Sequence, residues 1–183
     1  MTNANPAPKG RHMRGGSATA GGTPWSRMAV VAANPRGAIY GTIVASAVIA
    51  ASGAAGKSPE LILVTTVATL LVFWLAHVYA HFLDHEVHHD RTRWRALASI
   101  MVQELSMLAA PALSILFLLL GALDVLKEPV AVRLALWIGV VQLFGWGIEV
   151  GRRRGRAWPA AVLVGLVNGA FGLVIIILEV LLH

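Results

Sequence analysis

The sequence predicts an all-α polytopic membrane protein: a bundle of five transmembrane helices with the N-terminus cytoplasmic and the C-terminus outside. Three observations carry that expectation. The 183-residue chain is 57% hydrophobic and only 13% charged, where soluble domains average about 25% charged. Its apolar residues fall into five blocks close to the roughly 20 residues that a bilayer-crossing helix needs. Its fifteen basic residues alternate, heavy then light, between the segments that join those blocks.

Residues 1–36 carry Lys9, Arg11, Arg14, Arg27 and Arg36 with no acid, and residues 1–26 are rich in Gly, Ala, Pro, Thr and Asn. Such a composition buries too little apolar surface to fold and predicts a disordered basic tail. No apolar core with a cleavage site follows within 30 residues, so the segment is not expected to be a secretory signal. Asn34-Pro35 breaks regular structure just ahead of the first span.

The first block, 37–56, is uncharged and rich in Ala and Gly. Its Gly37-x-x-x-Gly41 with Ala45 is a small-residue face suited to close helix approach, within the chain or in a homodimer. The second, 61–83, has only His77 and His81 as ionisable groups besides Tyr79. The third, 96–123, holds Glu104 as its one charge; Pro111 is expected to bend it and free the Met107 carbonyl. The fourth, 130–150, has Arg133 and Glu149 near its ends, with Glu149 expected to pair with Arg152 or Arg153. The fifth, 157–179, is uncharged until Glu179 and carries Gly165-x-x-x-Gly169 with Gly172, a second small-residue face, expected to pack within the chain.

Orientation follows from the basic residues. The tail, the 91–95 segment (Arg91, Arg93, Arg95) and the 152–156 segment (Arg152, Arg153, Arg154, Arg156) hold twelve; Lys57, Lys127 and Arg133 lie on the other side. Positive charge favours the cytoplasm. The net charge of +6 is thereby a topology signal, and the lipid bilayer, not nucleic acid, is the expected partner. With no cysteine in the chain, disulfides, thiolate metal sites and cysteine nucleophiles are excluded.

Five of the seven histidines lie within residues 77–89. Polar side chains are costly in hydrocarbon and should turn inward and meet. At about 1.5 Å rise per residue, Glu104 lies about 15 Å in from Trp94, Asn168 a similar depth from Trp158, and Gln142 a similar depth from Arg152. His77 falls roughly 10 to 15 Å in from Asp84. A buried polar pocket of His77, His81, Glu104, Gln142 and Asn168 is the expectation. His77, His81 and His85 also share one helical face, which Thr66 and Thr69 extend. With Glu104 from the next span these three could hold a divalent metal, or the same groups could form a proton relay. Three functional readings follow. One is a non-enzymatic membrane protein whose cytoplasm-facing pocket handles protons, small ions or a small solute. The second is a membrane-embedded metalloenzyme. The third is a structural or accessory subunit whose polar groups only fasten helices to each other or to a membrane-protein partner.

The run His81-x-x-x-His85-x-x-His88-His89 resembles, over nine residues, the histidine boxes of membrane di-iron hydroxylases and desaturases. That family needs about eight histidines from several boxes, and no second box occurs in this chain. The strings Asn34-Pro-Arg-Gly-Ala-Ile-Tyr-Gly41 and Phe73-Trp-Leu-Ala-His-Val-Tyr-Ala-His81 resemble those of small integral membrane proteins from high-GC bacteria. That resemblance implies a multi-pass protein of the bacterial plasma membrane and implies no activity.

Overall fold

The structure, a computed structural model, describes residues 34–85 and 93–182. All but the last three residues of the expected tail lie outside these, as do His12, His88, His89 and His183. The described chain is helical: α1 (Pro35–Ala54), α2 (Pro59–His85), α3 (Arg93–Ala109), α4 (Ala112–Ala122), α5 (Glu128–Arg153) and α6 (Trp158–Leu182), with no strand among the described residues. Four helices, α1, α2, α5 and α6, are long and apolar enough to cross a membrane. The third apolar block forms two helices, bent by 51° at the Pro111 break, and makes a fifth crossing where the pair counts as one. This is a multi-pass membrane protein with four to five apolar helices.

Local chemistry sets the ends. Asn34 caps α1, its side-chain oxygen accepting from the Gly37 amide at 3.3 Å, and Pro35 takes the first helical position. There the missing N–H costs nothing and the fixed φ suits a helix. The Asn-Pro break is therefore a helix start, and α1 begins two residues earlier than the apolar block. Three turns close alike. Past α1, Gly56 adopts φ +63 and the Lys57 amide bonds back to the Ser52 carbonyl. Past α5, Gly155 adopts φ +68 and the Arg156 amide reaches the Gly151 carbonyl. Both are left-handed caps that satisfy orphan carbonyls, and glycine adopts them without strain. Past α4 the same role falls to Asp124 at φ 57, a residue whose short polar side chain tolerates that region.

Close contacts order the helices along the bundle. Gly37 and Gly41 of α1 abut Ser106 and Met107 of α3; Gly139 of α5 abuts Ser46 of α1 and approaches Ser114 of α4. Gly121 of α4 abuts Pro59 of α2 and Ala131 of α5. The bent pair thus runs beside α1 from its Asn34 end to the end where α2 and α5 begin. α6 returns along α5, with Gly151 on Ala161, Gly147 on Gly165, and Glu179 near Gly53 of α1. One end of the bundle gathers Asn34, His81, Glu104 and Arg152; the other gathers Lys57, Glu128 and Glu179.

The apolar core, Ile49, Ile62, Leu118, Ala135 and Leu136, lies where α1, α2, α4 and α5 meet. The outer faces of α2 and α6 expose Leu71, Val72, Leu75, Leu166, Phe171 and Val174. Such a continuous apolar rim is costly in water and suited to hydrocarbon. Both small-residue faces are used within the chain. Gly165, Gly169 and Gly172 pack on Phe144, Ile148 and Val140 of α5, and Gly37 and Gly41 on α3.

Candidate polar site at the Asn34 end

The polar site is built from the start of α1, the end of α2 and the middle of α3. Glu104 is buried, with its side chain 8% exposed, whereas His81 facing it is 50% exposed. His81 Nε2 lies 3.6 Å from Glu104 Oε1, an ion pair when the imidazole is protonated. The Asn34 amide donates to the same oxygen at 3.3 Å. The helix cap orients this amide: its oxygen is committed to the Gly37 N–H, which leaves the NH2 facing the carboxylate. Gly37 provides the room, since a Cβ there would lie 2.7 Å from Ser106 Oγ and 3.6 Å from Glu104 Oε2. Glu104 therefore sits level with the start of α1, at the edge of the bundle.

Of the five residues expected in one pocket, His81 and Glu104 come together; His77 lines one groove with His81 but makes its hydrogen bond within its own helix, and Gln142 and Asn168 bond elsewhere. His77 turns its Nδ1 to the Phe73 carbonyl of its own helix at 3.0 Å and packs its ring 5.1 Å from that of Tyr40. A carbonyl oxygen only accepts, so Nδ1 carries the hydrogen, and in the neutral ring Nε2 remains an acceptor. Tyr40, Phe73, His77 and His81 line a shallow groove of about 300 Å³ on the flank of α1 and α2.

Gln142 serves the bend. Pro111 cannot donate to the Met107 carbonyl, and α4 starts with Ile115 N bonding the Pro111 carbonyl, so the Ala110 carbonyl is left over at the break. Gln142 Nε2 donates to that carbonyl at 2.7 Å, and Ser114 Oγ donates to Gln142 Oε1 at 3.2 Å. The freed Met107 carbonyl points at Gly41, where a Cβ would collide with it. Asn168 donates to the Val164 carbonyl of its own helix at 2.9 Å. His77 and Asn168 bond carbonyls one turn back in their own helices, and Gln142 bonds the carbonyl that the break leaves open; each satisfies a polar group that hydrocarbon would leave unmet.

For the metal set His77, His81, His85 and Glu104, the side chain of His85 lies outside the described residues. Among the described residues no three His, Asp or Glu side chains converge as a metal site would require. Thr66 of the same face is fully buried with no hydrogen-bond partner, and Thr69 bonds back to the Thr65 carbonyl. Glu149 accepts from Arg153 Nε at 2.7 Å, as its spacing predicts.

Sequence reasoning missed Asn34, Tyr40 and Ser106. The signal for Asn34 was present: Asn before Pro at the head of an apolar block is a helix cap with one amide group to spare. Nothing in the linear pattern marked Ser106, which enters the site through the closeness of Gly37.

No family model matches the chain, and no curated protein or solved structure matches it. The class rests on the fold: a multi-pass helical membrane protein with one buried carboxylate among its described helices' polar contacts.

Proposed function

We propose that this protein handles protons at the cytoplasmic end of a five-crossing bundle in a bacterial plasma membrane, with Glu104 as the proton-binding carboxylate and His81 as its relay to water. The observation that carries this reading is the burial of Glu104 beside a neutral amide and a half-exposed imidazole. A carboxylate withdrawn from water keeps its charge only at a cost unless a cation, a proton or a protonated partner compensates it. His81 touches the carboxylate and is half exposed at the last residue of the apolar stretch of α2, the position that a proton donor to a buried acid requires.

Inward of Glu104 the buried polar groups continue. Ser106, Thr42, Ser46 and Ser114 are all nearly inaccessible, and the Ser46 hydroxyl has no hydrogen-bond partner. Together with Gln142 they form a polar seam between α1, α3, α4 and α5 that reaches the middle of the bundle. Five crossings agree with the course of the bent pair from the Asn34 end to the Pro59 end. The arginines of 152–156 lie at the same end as Asn34, which supports an N-terminus in the cytoplasm. The resemblance of residues 34–41 and 73–81 to small bacterial membrane proteins is the ground for the location.

Purified full chain in proteoliposomes tests the reading. Proton flux driven by a potassium diffusion potential is expected to exceed that of empty liposomes, to fall to their level in Glu104→Gln, and to fall partway in His81→Ala. Wild-type flux equal to that of empty liposomes, or undiminished in Glu104→Gln, overturns it.

A further inference from the structure

At the opposite end of the bundle, α1, α5 and α6 enclose a groove of about 560 Å³ that the proton reading does not use. Its lining includes two cations, Lys57 and Arg133, and two carboxylates, Glu128 and Glu179, with Leu136 and Trp137 deeper along α5. None of the four charges makes an ion pair or side-chain hydrogen bond among the described residues. Facing charges of both signs that leave each other unpaired present a mixed set of donors and acceptors to a ligand. Glu128 opens α5; Arg133 lies five residues on, about 7 Å deeper, and Trp137 nine residues on, about 13 Å deeper. Glu128 and Lys57 therefore stand at the rim, Arg133 lies below them, and the buried Leu136 and half-exposed Trp137 lie deeper still.

We infer that this groove binds a phospholipid whose head carries a phosphate and a primary ammonium, a phosphatidylethanolamine. Lys57 and Arg133 take the phosphate, Glu128 and Glu179 accept from the ammonium, and an acyl chain follows Leu136 and Trp137 into the hydrocarbon. The volume falls in the range of small-molecule sites, and the depth order matches an amphiphile lying along the bilayer normal. Charge selects the head. A purely anionic phospholipid meets two uncompensated carboxylates, and a choline head has no N–H to donate to them. The inference rests on the bundle lying in a bilayer and is independent of the proton reading.

The experiment uses the full chain in detergent, with native mass spectrometry of complexes formed with phosphatidylethanolamine, phosphatidylcholine and phosphatidylglycerol of matched acyl chains. Retention of phosphatidylethanolamine is expected to exceed that of the other two by about tenfold, the value of one charge-assisted hydrogen bond. Glu179→Gln is expected to remove the preference over phosphatidylglycerol, and Arg133→Gln to weaken all three. Lys57→Gln, in the loop after α1, serves as the variant least able to disturb folding and is expected to weaken all three as well. Equal retention of the three lipids, or a preference that survives Glu179→Gln in folded protein, overturns the inference. So does displacement of the bound lipid by free phosphoethanolamine at equal concentration.

Discussion

Two glycine seams hold this bundle together, and they are used differently. Between α5 and α6, glycine meets backbone: a Cβ on Gly147 would lie 2.7 Å from Gly165 Cα, and one on Gly151 2.6 Å from Ala161 Cα. That seam is close packing, the use small residues have in membrane helices. Between α1 and α3, glycine meets polar groups: Gly41 meets the Met107 carbonyl that Pro111 leaves free, and Gly37 meets Ser106 beside Glu104. The same four-residue spacing brings helix surfaces together in one place, and in the other admits a carbonyl, a hydroxyl and a carboxylate to the interior. A small-residue motif therefore reports close approach; what approaches is decided by the partner helix.

The sharpest way to break this contrast is Gly41→Val. Rigid backbone stands where the new side chain would go, so a loss of about 3 kcal/mol is expected, read as a lowered unfolding midpoint in detergent. Gly37→Ala, four residues earlier, meets the rotatable Ser106 hydroxyl and is expected to cost less than about 1 kcal/mol. Equal losses at the two positions would show that the Met107 carbonyl is no greater an obstacle than the Ser106 hydroxyl.

A smaller effect is expected from Gln142→Leu. It strands the Ala110 carbonyl and removes the acceptor of Ser114, at about 1 to 2 kcal/mol. An unchanged midpoint would mean that the bend at Pro111 satisfies its own carbonyls. Smallest is Asn168→Ala. Its one hydrogen bond goes to a carbonyl of its own helix, and a change below about 0.5 kcal/mol is expected. A loss as large as that of Gln142→Leu would place Asn168 in a network with α5.

Much of the architecture was legible in the linear chain because its causes are local or compositional. Apolar block lengths, Pro111 as the bend and Glu149 paired one turn from Arg153 each depend on neighbours in sequence; the Asn34 cap and the left-handed Gly56 and Gly155 are equally local, but emerged only with the structure. The site was legible only in part. His81 and Glu104 stood out because ionisable groups are rare in apolar blocks. That His77, Gln142 and Asn168 would spend their hydrogen bonds on backbone carbonyls and not on Glu104 was not readable, and the Ala110 carbonyl exists as an acceptor only through the broken helix.

Composition and periodicity thus determined on their own that the chain forms long apolar helices with a few costly polar residues, since hydrophobic length and local hydrogen bonding require no knowledge of distant residues. Tertiary structure alone decided which of those polar residues meet. The 51° bend, the closeness permitted by Gly37 and Gly41, and the level at which α3 packs on α1 bring Asn34 and His81 to one oxygen of Glu104, and these relations exist only between helices.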